Sequence, residues 1–182
     1  MQDFFINIIS GGIIGGFSSY VASKYFQKKN NEVNQPNLEL SDQIIQAKRD
    51  DGTHAVELKL INHTDQDLSN IKLELEGWTN LAPQGSIPLF NLKELSTREI
   101  LSIKKFDKND KKNYHNAHRI LLFNNNNIID DIKNFKFVRI SAFVSCPYYS
   151  TSAVISKNYQ ISTKLLDSSY SFNTGNSVDA HR

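Results

Sequence analysis

With a single cysteine in 182 residues, Cys146, the sequence excludes an intrachain disulfide, a cysteine-cluster zinc site and an iron–sulfur cluster. It contains no Gly-x-Ser-x-Gly turn, no phosphate loop ending in Gly-Lys-Ser and no Gly-x-Gly-x-x-Gly, so nothing points to a serine hydrolase or a nucleotide site. It lacks a charge excess as well: 21 Lys and Arg face 19 Asp and Glu, and a net +2 describes neither a dedicated polyanion binder nor an acidic tail. The length suits one domain with appendages. No catalytic residue, cofactor or metal is expected, and nucleic acid is not an expected partner.

What is present begins with an apolar run. Between Phe4 and Phe26 the ionisable side chains are Tyr20, Lys24 and Tyr25. As a helix, residues 4–26 would extend about 34 Å against a hydrocarbon layer of roughly 30 Å, which predicts a single-pass transmembrane helix. The alternatives are a signal peptide cut near Val21-Ala22-Ser23, set against an acidic rather than basic start at Asp3, or a buried glycine-rich hairpin. Lys24, Lys28 and Lys29 follow the apolar stretch, so the positive-inside rule places the rest of the chain in the cytoplasm, at the inner face of a cell membrane. Gly11 and Gly15, Gly12 and Gly16, and Gly15 and Ser19 are each four apart, a small-residue face on which two helices could meet as a homo-oligomer.

Residues 27–37 are polar and contain Pro36, the composition of a linker. Beyond it the pattern alternates. Val56, Leu58 and Leu60 interleave with Glu57 and Lys59, and Ile71, Leu73 and Leu75 with Lys72, Glu74 and Glu76, which predicts two half-buried strands whose carboxylates face solvent. Val138, Ile140, Ala142, Val144 and Cys146 mark a third, with Cys146 a buried, inert thiol. Weaker alternation covers residues 38–47, 97–103 with Leu101 and Ile103 inward, and 153–161. Six or seven strands without helical periodicity in the first half favour two packed antiparallel sheets over residues 38–164.

The string from Leu60 to Leu73, in which Asn62 closes one strand and Leu68-Ser69-Asn70-Ile71 opens the next, resembles the corresponding segment of immunoglobulin-like and fibronectin-III-like bacterial modules. The resemblance implies an antiparallel β-sandwich used for adhesion, spacing or docking, and it carries over no catalytic residue. Cys146 has no second cysteine to staple the sheets, and Trp78 reads as core or rim.

Residues 107–134 break the strand pattern. Tyr114, Ala117, Ile120 and Leu121 fall at helical spacing, which predicts an insertion of one or two short helices. His115 and His118 lie three apart there; without a third ligand they read as surface histidines, with a role in partner binding or a hidden enzyme site as the alternatives. Lys104, Lys105, Lys108, Lys111, Lys112 and Arg119 outnumber Asp107 and Asp110 by four, and they read as a solvated loop or a surface for anionic lipid. Tyr148 and Tyr149 follow Cys146-Pro147 as an aromatic loop tip suited to a protein partner. Residues 165–182 have too few apolar side chains to pack and are predicted disordered.

The function expected from sequence is therefore a membrane-anchored docking or sensing sandwich, in one version an effector of a bacterial defence or toxin system. An exported adhesion module is the alternative.

Overall fold

The computed structural model describes residues 23–24, 34–80, 90–173, 175 and 177–182. The chain divides into two compact units, residues 1–35 and residues 36–182. In the first unit Ser23, Lys24 and Asn34 are helical. The remainder of the expected membrane span, with Gly11, Gly12, Gly15, Gly16 and Ser19, and also Lys28 and Lys29, lies outside the described residues.

The expected fold class needs correction here. Among the described residues no helix is long and apolar enough to cross a membrane. The helices of the second unit have six and four residues, and six residues at 1.5 Å each span about 9 Å, far short of a 30 Å hydrocarbon layer. The fold described is mainly β.

Among the described residues the second unit is built from three sheets. In the first, β3 (His54–Asn62) is central. One side pairs with β1 (Leu38–Leu40) and β2 (Ile44–Lys48), and the other with β6 (His118–Leu122), all antiparallel. β1 and β2 are in effect one strand broken at Ser41, whose N–H donates to the Lys59 carbonyl and whose hydroxyl oxygen accepts from the Lys59 N–H. The second sheet has the order β5-β4-β7-β8, from β4 (Leu68–Asn80), β5 (Phe90–Ile103), β7 (Phe137–Cys146) and β8 (Thr151–Gln160). Buried Val56, Leu58 and Leu60 of the first sheet share one core with Leu73, Leu75, Val138, Ile140 and Val144 of the second, which makes the unit sandwich-like. Cys146 is buried with them.

Side chains close both flanks. Arg98 and Ser96 of β5 donate to the Leu121 and Phe123 carbonyls beside β6. Opposite, Lys157 and Tyr159 of β8 donate to the Leu40 and Ser41 carbonyls at 2.9 and 2.8 Å. Burial raises the pKa of the Tyr159 phenol, keeping it a donor.

Residues 107–134 are not simply an inserted pair of helices. They form a 3₁₀ turn (Lys111–Asn116), strand β6 and helix α1 (Ile128–Lys133). Ile120 and Leu122 are two apart and buried, so β6 follows strand rather than helical period, and pairing with β3 decides between them. The Asn127 side chain caps α1, whose Ile128, Ile129 and Ile132 close one end of the core.

Alternation also misplaces Leu101. Asn70 has a positive φ of 51°, and the step around it turns both Leu68 and Ile71 inward although they are three apart. Leu68 pairs with Ile103 and Ile71 with Ile100, which throws Leu101 outward at 89 % exposure while Ile103 stays buried. At the other end of β4, Trp78 is half-buried on the outer face, with the Arg139 guanidinium 4.9 Å from its ring centre.

The C-terminal residues are ordered where described. A short helix α2 (Ile161–Lys164) leads into β9 (Leu165–Leu166), parallel to β2, and β10 (Ser171–Phe172) pairs with β11 (Ala180–His181). This segment covers the face of β3 expected to meet water. Lys59 is 1 % exposed, and its ammonium donates to the Asn173, Gly175 and Ser177 carbonyls at 2.6, 2.5 and 2.7 Å. Glu57, also expected in solvent, is 8 % exposed and paired with Arg119. A buried ammonium needs all its protons accepted, and main-chain carbonyls of an apolar-poor tail accept them here.

Candidate functional site

One end of the sandwich gathers four connections. The start of β1, the β3–β4 loop (63–67), the segment after β5 (104–110) and the β7–β8 turn (147–150) meet there because Leu38 pairs with Asn62, Leu68 with Ile103 and Ser69 with Ser145. The loops are tied together by short bonds. Asn37 N–H donates to the Thr64 hydroxyl at 2.8 Å, His63 N–H to the Asn37 carbonyl at 2.8 Å and Phe106 N–H to the Asn62 carbonyl at 2.9 Å. Asn62, an acceptor-type glycosylation sequence with Thr64, is fully buried and donates to the Gln66 carbonyl, so its amide is spent inside the loop.

Rings line up across this end. His63 Nε2 lies 2.6 Å from a Glu39 carboxylate oxygen, the His63 and Phe106 ring centres are 6.4 Å apart, and those of Phe106 and His115 are 5.9 Å apart. Two open depressions flank the β3–β4 loop. The larger, about 480 Å³, is lined by residues that include His63, Asp65, Lys105, Phe106 and Lys108. The smaller, about 410 Å³, adds Leu68, Pro147 and Tyr148, and Lys105 borders both.

The carboxylates and the ammonium groups of this end are in different situations. Asp65 accepts from the Tyr149 hydroxyl, Asp67 from the Lys105 N–H and Asp107 from the Asn109 N–H, so each carboxylate fastens a loop. Lys104, Lys105, Lys108, Lys111 and Lys112 are exposed, and none forms an ion pair among the described residues. The surface therefore offers ammonium groups that no ion pair holds in place, beside carboxylates fixed by hydrogen bonds, around an aromatic floor.

Backbone strain concentrates in the same place. Among the described residues, the non-glycine residues with positive φ are Asn70, His115, Asn116 and Ser150, and all four belong to this end or its first strand positions. Left-handed backbone at such residues costs of order 1 kcal/mol each and persists where surrounding bonds over-determine it. His115 shows how: its N–H donates to the Asp110 carbonyl at 2.8 Å and its own carbonyl accepts from Asp107 N–H at 3.1 Å.

Tyr148, Tyr149, His115 and the lysine run, separate in sequence, come together here. Tyr148 is 73 % exposed and meets Tyr149 edge-on with ring centres 4.9 Å apart. His118 opens β6 opposite Leu60, with a buried Nε2 that has no hydrogen-bond partner among the described residues. Its pKa is lowered, first by burial and then by the Lys104 charge, which favours the neutral ring. No group of three or more His, Cys, Asp or Glu side chains among the described residues is placed to hold a metal ion. Lys24 belongs to the other unit. Sequence reading missed His63, Asp65 and Phe106 as members of the site. His63 and Asp65 look like ordinary turn chemistry until the β7–β8 turn is placed against them, and Phe106 is a lone ring in a charged run.

In comparisons with known proteins, no family model matches the chain and no curated protein matches it.

Proposed function

We propose that the second unit is a binding module of immunoglobulin-like strand order whose loop end docks an acidic segment of a partner protein. The order β6-β3-β1/β2 against β5-β4-β7-β8 supports that reading of the fold, because it sets the loop after the second strand beside the turn joining the last two. In immunoglobulin-type modules these two loops share one end and form a common binding surface.

The observation that carries the proposal is that the two kinds of charge at the loop end are held differently. Asp65, Asp67 and Asp107 are each fixed by a hydrogen bond that holds a loop, while Lys105 and Lys108, which line the depressions beside Phe106 and Tyr148, and the exposed Lys104, Lys111 and Lys112 form no ion pair among the described residues. Lysine clusters draw in carboxylates and speed encounter, and half-exposed aromatics supply apolar contact once a chain is seated. A concave surface with an aromatic floor suits a peptide better than a flat lipid surface. Nucleic acid fits less well, because the rings pack against one another instead of presenting open faces for bases.

Titrating a peptide rich in Asp and Glu into the ¹⁵N-labelled chain tests this. Shifts confined to residues 62–67, 104–109 and 147–150 support it. Shifts with anionic vesicles or an oligonucleotide but none with the peptide reject it.

A further inference from the structure

We infer that β8 is a pairing edge through which two copies of this chain join into one continuous sheet. The two edges of the β5-β4-β7-β8 sheet are built differently. β5 carries Lys93, Glu94, Arg98 and Glu99, and its Ser96 and Arg98 side chains bond across to β6. Four charges on an edge strand keep it from recruiting another.

β8 shares the cross-bonding, through Lys157 and Tyr159, but has a single charge in place of four, and that one is turned away from the outer face toward Leu40 and Asp42. Its ten residues run in unbroken antiparallel register with β7, from Phe137 opposite Gln160 to Cys146 opposite Thr151, without bulge, proline or glycine. From Ser152 to Gln160 its pairing among the described residues is with β7 alone. Such an edge presents a row of N–H and C=O groups ready to add a strand.

The charge pattern selects a second copy as the occupant. In antiparallel pairing about a two-fold axis each residue near the axis meets its own equivalent, so any free charge there repels itself. The outward residues Ser152, Val154, Ser156, Asn158 and Gln160 are all uncharged. Lys157, the charged residue of the strand, points the other way, with its ammonium held by the Leu40 carbonyl and the Asp42 carboxylate. An acidic or basic peptide finds nothing to recognise on this strand. Val154, 59 % exposed, and its cross-strand neighbour Phe143, 37 % exposed, form an apolar strip that a two-fold would extend across the joint.

Pairing of this kind sends the loop ends, which lie beside Thr151, to opposite poles. A strand of ten residues is about 30 Å long, so a dimer would present two docking ends facing away from each other. The dimer stands whether or not those ends bind an acidic segment.

Sedimentation velocity on the full chain, over a concentration series reaching about 100 µM, reads the association directly; that range extends about a hundred-fold above a micromolar dissociation constant. The wild-type chain is expected to dimerise. V154K/N158K and V154E/N158E, at exposed positions, are each expected to keep the wild-type melting temperature and weaken the dimer at least ten-fold. Mixing the two variants restores it. A monomeric wild type overturns the inference, and so does a dimer that ignores both variants, which would place the contact elsewhere.

Discussion

The Tyr149 hydroxyl donates to the Asp65 carboxylate at 2.7 Å, joining the β7–β8 turn to the β3–β4 loop across 84 residues of sequence. That bond is the first cause of the raised Tyr149 pKa, and it fixes the platform on which Tyr148 stands exposed. Tyr149→Phe is expected to leave the melting temperature near wild type. Amides of residues 63–67 and 148–150 should then exchange with solvent several-fold faster. Unchanged exchange would show that the two loops hold position independently.

Lys59 is the fastening of the C-terminal segment, and its chemistry is specific. An ammonium offers three protons to three converging carbonyls, whereas a guanidinium is a planar fork that cannot serve the same set. Both Lys59→Met and Lys59→Arg are expected to expose the chain around Tyr170 and Phe172 to chymotrypsin, with a stability loss of about 2 kcal/mol, the scale of losing bonds from a charged donor. Protection equal to wild type in either variant contradicts the assignment.

Gly77 faces the core from β4, and a Cβ there would sit 2.5 Å from the Phe135 ring. Gly77→Ala is expected to cost about 1–3 kcal/mol through overpacking. Adding Phe135→Leu should recover part of that loss, and a double-mutant cycle measures the coupling. Strict additivity would mean the ring is not the obstacle.

His118 makes stability depend on pH near neutrality. Its folded pKa lies below the ordinary value, so just below about pH 6.5 the unfolded chain holds a proton that the folded chain does not. The unfolded state then binds more protons, and stability falls as pH drops through that window. His118→Phe is expected to flatten the dependence between about pH 7.5 and 5.5, clear of the carboxylates of Asp42 and Asp51, which hydrogen bonds from Lys157 and Thr53 hold below the ordinary carboxylate range. Urea midpoints at the two pH values decide it; an unaltered slope assigns the dependence to other groups.

Much of the sandwich was legible in the sequence because period-two alternation records which face is buried. Val56, Leu58 and Leu60, the Ile71–Leu75 set and Val138–Cys146 all lie in the core as that rule demands. The rule reads one buried face at a time, which is why β3 misled it. On its second face Lys59 is covered by a segment more than 100 residues later and Glu57 is paired with Arg119 of β6, and no local pattern encodes such distant covers. Leu101 failed for the opposite reason, a single left-handed residue at Asn70 that shifts parity. Ile120–Leu122 are too few apolar residues to separate strand from helix without β3 beside them. At the loop end, Tyr148 and the lysine run stood out by composition. Their convergence with His63 and Phe106 depends on strand register, which only the folded chain supplies.

The most direct test of the docking proposal is the affinity of a fluorescently labelled Asp- and Glu-rich peptide for the full chain, read by anisotropy across a salt series. Lys105→Glu with Lys108→Glu changes the charge beside both depressions, and Lys133→Glu with Lys136→Glu makes the same charge change away from them. The account predicts that the first pair weakens binding at least ten-fold and flattens the salt dependence while the second leaves both near wild type. Equal effects from the two pairs, or none from the first, would contradict it.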